Sequence, residues 1–251
     1  MNLGNILDLL NRISPFNLQE SWDNSGLQIG SRDFKLTNIY TTLELSSKVI
    51  ENVAPNSLII SHHPLFFKAI KCLDFSNYPA NLARQLMEKN CAQIATHTNF
   101  DKTHLNAKVA QILGLEITFQ EDFIIFASIQ KTPILDIAKS IAKKLELDLI
   151  KLTKANDFVE NIALVCGSGC SLMPQIHEII KSQNLQNTLF LTGDVKYHDA
   201  MNALSLNISI MDILHFQSER IFAQLMSDIL SNHGYKAIIC NSQNPFAHIG
   251  I

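Results

Sequence analysis

A series of short, uninterrupted apolar runs narrows the fold more than any other feature of this chain. SLII (57–60), AQIAT (92–96), TLFLTG (188–193) and ISIMDI (208–213) are each followed by a stretch with apolar residues at helical spacing. A strand solvated on one face alternates apolar and polar residues, whereas a strand covered by helices on both faces does not. The runs therefore read as strands of a largely parallel sheet, and the chain as α/β.

The helical stretches carry their own punctuation. Leu3, Ile6, Leu7, Leu10 and Ile13 share one helical face, and Ser14-Pro15 stops it. A helix through Ala54 is closed by Pro55, a helix over 79–89 follows, and one over 104–113 ends at Gly114 as its C-cap. LEITFQEDFIIFASIQ (115–130) reads as two strands with little between them, and marks the junction of two similar α/β lobes, 1–125 and 126–251. The second lobe opens on a helix over 132–147 with Thr132 as N-cap and Pro133 in its first position. Strand and helix then alternate again through helices at 171–183, 196–204 and 215–232.

Composition excludes several classes. The 251 residues are 47% hydrophobic and 17% charged, which is ordinary for a folded globular protein. A net charge of −3 lacks the basic excess of a dedicated nucleic-acid binder. The 5 cysteines are scattered without a CxxC pair, so neither a disulfide framework nor a thiolate zinc site is indicated, and a reducing cytoplasm is the expected setting. MNLGNILDLLNRI lacks the basic start and long apolar core of a signal peptide. No apolar run approaches the ~20 residues that span a bilayer, so no membrane partner is expected.

Chemistry gathers at the carboxyl ends of strands in open α/β sheets. LIISHHPLFFK (58–68) places His62 and His63 at such an end. Neighbouring strand residues point to opposite faces, so both imidazoles reach one site only if the backbone leaves strand geometry there, which Pro64 favours. ATHTNFD (95–101) places His97 and Asp101 at the next strand end. IMDILHFQSER (210–220) places His215 and Glu219 at a third, on one helical face at i and i+4. Any one of these pieces alone reads equally well as structural; three in succession point to a metal site. Imidazole and carboxylate without thiolate suit Zn²⁺, Mn²⁺ or Fe²⁺. The set exceeds what one ion needs, so two divalent ions ~3.5–4 Å apart, bridged by Asp101 or Glu219, is the economical reading.

WDNSGLQIG (22–30), SHHPLFF (61–67), HTNFD (97–101), TGDVKYHDA (192–200) and HFQSE (215–219) resemble, in order, the motifs of the Nif-three-like or YbgI-type dinuclear metal-centre family, often labelled type 2 GTP cyclohydrolase I. The resemblance implies that His62, His63, Asp101, His215 and Glu219 ligate metal at a site shared by the two lobes. It implies a homohexamer and, from the length, no inserted extra domain. It places His97 behind the ligands or as a proton carrier and His198 near this region, touching substrate or standing as an ordinary helix-terminus histidine, and implies hydrolytic opening of GTP to 7,8-dihydroneopterin triphosphate and formate. Lys68, Lys71, Lys196 and Arg220 are available to the triphosphate, although each reads equally as a solvated charge. CGSGCS (166–171) reads as a tight turn or as a phosphate cradle. Phosphoester hydrolysis at the same centre and a non-enzymatic metal-binding adaptor are the competing functions. The chain departs from the family pattern at Leu214, where glycine is common, in DKTHLN (101–106), which lacks a glycine pair, and at Glu44, where aspartate is frequent.

Overall fold

Each apolar run becomes a strand because its backbone groups are paired within a sheet and its side chains are covered. The computed structural model describes residues 1–247, and the chain forms two compact units, each with its own sheet. The first unit comprises Met1–Phe100 and Arg220–Pro245; the second is built on Asp101–Glu219.

In the first unit, α1 (Leu3–Ile13) is capped by the Asn2 side chain, which accepts the Gly4 N–H, and is followed by strand β1 (Gly26–Ile29). Then come β2 (Ile39–Thr42), α2 (Ser47–Glu51), β3 (Leu58–Ser61), α3 (Ala80–Glu88), β4 (Ala92–Ala95) and the single turn α4 (Thr98–Phe100). After the second unit the chain returns as α10 (Phe222–Asn232) and β11 (Ala237–Ile239). The sheet runs β1-β4-β3-β2-β11, parallel throughout except for β1 against β4. Tyr40, Ile59, Val49, Ile50, Leu82 and Leu86 pack into one core between α2, α3 and the sheet. At about 1.5–3 kcal/mol for each large apolar side chain buried, this layer supplies the main driving force for the unit.

The second unit opens with a π-helical turn, Asp101–Leu105, that runs into α5 (Asn106–Ile112). There follow β5 (Ile117–Glu121), β6 (Ile124–Pro133), α6 (Ile134–Leu145), β7 (Lys151–Thr153), β8 (Phe158–Leu164), α7 (Met173–Ser182), β9 (Thr188–Thr192), α8 (Tyr197–Ser205), β10 (Ser209–Asp212) and α9 (His215–Glu219). Its sheet runs β5-β6-β8-β9-β10-β7. Only β8–β9 and β9–β10 are parallel pairs; the hairpin β5–β6, the β6–β8 pair and the edge strand β7 are antiparallel. Phe126, Ala163, Phe190 and Ile210 pack with Met173, Ile176 and Ala203 from α7 and α8.

The structure bears out the α/β class with no inserted domain and differs from the sequence reading in detail. The division expected at residue 125 falls inside the second unit, because Ile125 on β6 pairs with Leu164 on β8. Asp101 accordingly belongs to the second unit and not to the N-terminal one. Thr132 is not a helix cap: it pairs with Val159, and Pro133, still paired with Phe158, ends the strand and becomes the N-cap of α6. The helix expected over 215–232 is broken between Glu219 and Phe222. Gly114 adopts φ +66° just past α5, and Leu115 N–H donates to Ala110 O, the helix-ending turn its position predicted. No helix among the described residues is long and apolar enough to cross a membrane.

Fully buried Asn106 links this fold to the CGSGCS turn. Its Oδ1 accepts the Cys166 N–H at 2.8 Å, and its Nδ2 donates to Phe123 O at 2.8 Å. Asn106→Leu leaves a buried donor and a buried acceptor unpaired, which costs about 2–4 kcal/mol. The expected result is a melting temperature lower by roughly 5–15 °C in a thermal scan; an unchanged midpoint would show that the side chain is not the partner those groups depend on.

Candidate metal centre

In the first unit, β3 ends at Ser61 and the backbone bends at once. The His62 and His63 amides both donate to Leu43 O, at 3.2 and 3.3 Å, while Ser61 Oγ donates to His63 O at 2.7 Å. This bend removes the opposite-face geometry of a strand and brings the two rings to 5.0 Å. The chain leaving β4 adds His97, whose ring lies 5.0 Å from His62 and 5.4 Å from His63. Ligand atoms of His62, His63 and His97 all lie within 4.8 Å of one another. His97, expected beside the ligands as a proton carrier, is thus a full member of this histidine cluster.

Each ring is held by its Nδ1. His62 Nδ1 donates to Thr96 O at 2.9 Å, His63 Nδ1 to Glu44 Oε2 at 2.6 Å, and His97 Nδ1 to Asp23 Oδ1 at 2.8 Å. A carbonyl or carboxylate oxygen only accepts, so the proton sits on Nδ1 and the lone pair on Nε2, the tautomer a metal ligand requires. Asp23 is itself a built anion site. Its carboxylate also accepts from Asn24 N–H, Thr98 N–H and Thr98 Oγ1 at 2.7, 3.0 and 2.5 Å. Burial works to raise its pKa, but His97 and Thr98 outweigh burial and hold the carboxyl well below the usual range.

The second unit repeats the device. His215 opens α9, and its Nε2 lies 3.0 Å from Glu219 Oε2, the i and i+4 pairing read from HFQSE. Its Nδ1 donates to Asp194 Oδ2 at 2.7 Å. Burial opposes protonation of His215, and the Glu219 and Asp194 carboxylates override it, holding the pKa up to about 9. Asp101 lies in the π-helical turn, a rare local geometry often found at functional sites. Burial, with the Asp101 and Glu219 charges, drives the pKa of the Cys166 thiol well above its ordinary value. Both carboxylates therefore act on one buried thiol, which stays protonated and offers no thiolate to a metal.

The CGSGCS turn is shaped around these groups. Gly167 N–H donates to Ser218 Oγ and Gly169 N–H to Thr192 Oγ1, at 3.0 and 2.8 Å, so these amides are committed within the protein. Gly167, at φ +61°, lies against Glu219: a Cβ there would overlap Oε1 and stand 3.5 Å from His215 Nε2. At Gly167 the turn is therefore one of close approach. His198 is exposed on the first turn of α8 with its ring edge-on to Tyr197. Lys68, Lys71 and Lys196 are exposed as well.

In the first unit His62, His63 and His97, each pinned through Nδ1, form a donor set that fits a divalent ion. In the second unit His215 and Glu219 offer an imidazole and a carboxylate of the same kind. The sequence pattern of Duf34/NIF3 (NGG1p interacting factor 3) matches residues 1–245. The chain belongs to this family. Among its relatives, the GTP cyclohydrolase 1 type 2 of Helicobacter pylori is 40% identical over 241 residues, covering 96% of both chains. A GTP cyclohydrolase 1 type 2 homolog of Campylobacter jejuni is 38% identical, covering 99% of this chain and 100% of its own. Among solved structures, Staphylococcus aureus protein SA1388 superposes with TM-score 0.83 at 25% identity, covering 99% of each chain. Protein ybgI gives TM-score 0.84 at 18% identity over 98% of this chain and 100% of its own, a likeness of fold alone.

The departures from the NIF3 pattern now have physical readings. Leu214 adopts φ +60°, the left-handed conformation that glycine takes without penalty, so leucine holds about 1 kcal/mol of strain just before His215. Glu44, where aspartate is frequent, holds His63 Nδ1 at 2.6 Å. The segment 101–106, without its glycine pair, folds as the π-helical turn and delivers Asn106 to the core. Asp23, Glu44 and Asp194 received no functional assignment from sequence reasoning. Their signal was position: Glu44 and Asp194 each follow a strand end directly, and Asp23 lies beside the only tryptophan.

Proposed function

We propose that this chain is a divalent-metal-dependent hydrolase acting on GTP, with His62, His63, Asp101, His215 and Glu219 as ligands of a dinuclear centre. The observation that carries the reading is the Nδ1 anchoring of the histidines, which leaves Nε2 of His62 and His63 as electron-pair donors and aims Nε2 of His215, now paired with Glu219, so that a metal would replace its proton. GTP as substrate draws on the name of the Helicobacter pylori relative, GTP cyclohydrolase 1 type 2. A homohexamer and a cytoplasmic location belong to the same proposal.

When bound, ions of this class polarise oxygen and make water a nucleophile at neutral pH. The chain's own residues do the rest. Glu44 and Asp194 keep His63 and His215 in the donor tautomer, and the Asp23 carboxylate does so for His97. His97 Nε2 takes up a proton as the guanine ring opens at C8, and the developing imidazolium is stabilised by Asp23. His198, exposed on α8, contacts the substrate. The balanced reaction is GTP plus water to 7,8-dihydroneopterin triphosphate plus formate.

The test supplies GTP with Zn²⁺, Mn²⁺ or Fe²⁺ in separate reactions and follows formate and pterin fluorescence. Metal-dependent formate release, abolished by His63→Ala and by Glu219→Ala, is the expected result. His97→Ala lowers turnover about 100-fold, the scale of general acid–base catalysis, and His198→Ala has a smaller effect. Phosphate release without formate moves the chemistry to phosphoester bonds; metal-loaded protein with no turnover of GTP removes GTP as substrate.

A further inference from the structure

Two large aromatic side chains stand unusually exposed beside the histidine cluster. Trp22 is 55% exposed and Phe67 43% exposed. Their rings touch at 5.6 Å between centroids, and each meets His97 edge-on, at 6.2 Å for Trp22 and 5.7 Å for Phe67. Burying aromatic area is a main source of folding free energy, so leaving two such rings half in water at one point forgoes stabilisation.

The pair is held by a polar network that does nothing else evident. Asn24 Nδ2 donates to Phe66 O at 2.6 Å and to Gln28 Oε1 at 3.2 Å. Gln28 Nε2 donates back to Asn24 O at 2.6 Å, and the Phe66 N–H donates to Gln28 Oε1 at 3.3 Å. The turn carrying Trp22 is thus fastened to the segment carrying Phe67 through side-chain amides. Asp23, between Trp22 and Asn24, ties the same turn to His97. The rings are preorganised with their outer faces open, the arrangement that lowers the ordering cost of binding a flat ligand.

We propose that Trp22 and Phe67 form a stacking platform for the planar base of the substrate, a purine. The proposal rests on the nucleotide reading above and assigns its base recognition. Stacking tolerates any base, because every base has a π-face; the platform therefore supplies affinity for purines in general, and discrimination of guanine comes from elsewhere.

Trp22 is the only tryptophan, so its emission reports on the platform directly. The metal-loaded protein is titrated with GTP, ATP, guanosine and inorganic tripolyphosphate, exciting near the red edge of tryptophan absorption. GTP and guanosine are expected to quench the emission saturably, and tripolyphosphate to leave it unchanged. In calorimetry, Trp22→Ala weakens GTP about 5- to 100-fold and Phe67→Leu weakens it by less, while tripolyphosphate affinity and metal content stay as in the wild type. GTP binding unaltered by Trp22→Ala overturns the platform and leaves the nucleotide reading standing. Quenching by ATP with no response to GTP or guanosine supports the platform and removes GTP as its ligand. Emission indifferent to every purine, with Trp22→Ala changing the sedimentation coefficient instead, overturns the proposal and assigns the rings to contact with a second copy.

Discussion

Gly167→Ala is expected to strip the metal from the protein while leaving both sheets folded. The residue adopts φ +61°, where alanine pays about 1 kcal/mol that glycine does not. In a chain of this length that lowers the melting temperature by only a few degrees. The larger effect is steric. The new Cβ would overlap Glu219 Oε1 and sit 3.3 Å from its Cδ, and buried Glu219 cannot relax outward at no cost. Its carboxylate must swing away from His215, parting a pair now at 3.0 Å. A shift in groups that only orient ligands costs 10–100-fold in metal affinity, so displacing a ligand costs at least about 100-fold. Elemental analysis of gel-filtered, Mn²⁺- or Zn²⁺-reconstituted protein reads the outcome beside a circular dichroism melt. Wild-type metal content in the variant would show that Glu219 is not a ligand, or that the turn yields more readily than its geometry implies.

Asp23→Asn is expected to lower both stability and turnover although it removes only a charge. Five donors converge on this carboxylate: Asn24 N–H and His97 Nδ1 on one oxygen, Thr98 N–H, Thr98 Oγ1 and, at 3.3 Å, Ser25 Oγ on the other. Only an acceptor-only group suits them all. An amide must turn its NH₂ toward one set. Facing Thr98 it collides with two donors and costs about 2–4 kcal/mol. Facing His97 it moves the imidazole proton to Nε2 and leaves the ring unable to accept one. The expected result is a lower melting temperature together with a 10–100-fold loss of turnover. Adding Thr98→Val removes one of the opposing donors, so the double variant recovers stability relative to the sum of the single ones. Simple additivity would show that Asp23 acts through contacts other than Thr98.

The strand ends were legible because short apolar runs and helical spacing are local properties. His62, His63, His97, Asp101, His215 and Glu219 stood out for the same reason: each lies within a few residues of such an end. Their supporting partners were not legible, because orientation is a long-range property. His97 and Asp23 are 74 residues apart in sequence, and nothing in WDNSG says which distant imidazole its carboxylate will hold. Two edge strands escaped for a different reason. β1 and β7 are short strands paired on one side only, in segments rich in turn formers or charge, where tertiary pairing and not propensity decides. Thr132-Pro133 looked like a helix start because its residues suit one; the ladder with Val159 and Phe158 claimed them for a strand first.

The interleaving of the units sets an order of events during synthesis. The chain leaves the first unit at Phe100 and re-enters it at Arg220, with α10 and the strand that flanks β2 still to come. At ~5–20 residues per second a ribosome spends roughly ten seconds making the stretch in between. By the end of that interval the second unit has all its strands, while β2 still lacks β11, and an unpaired strand edge recruits whatever strand it meets. The portion begun first is therefore the last to be finished, and a nascent chain stalled before Arg220 carries one complete sheet and one open edge.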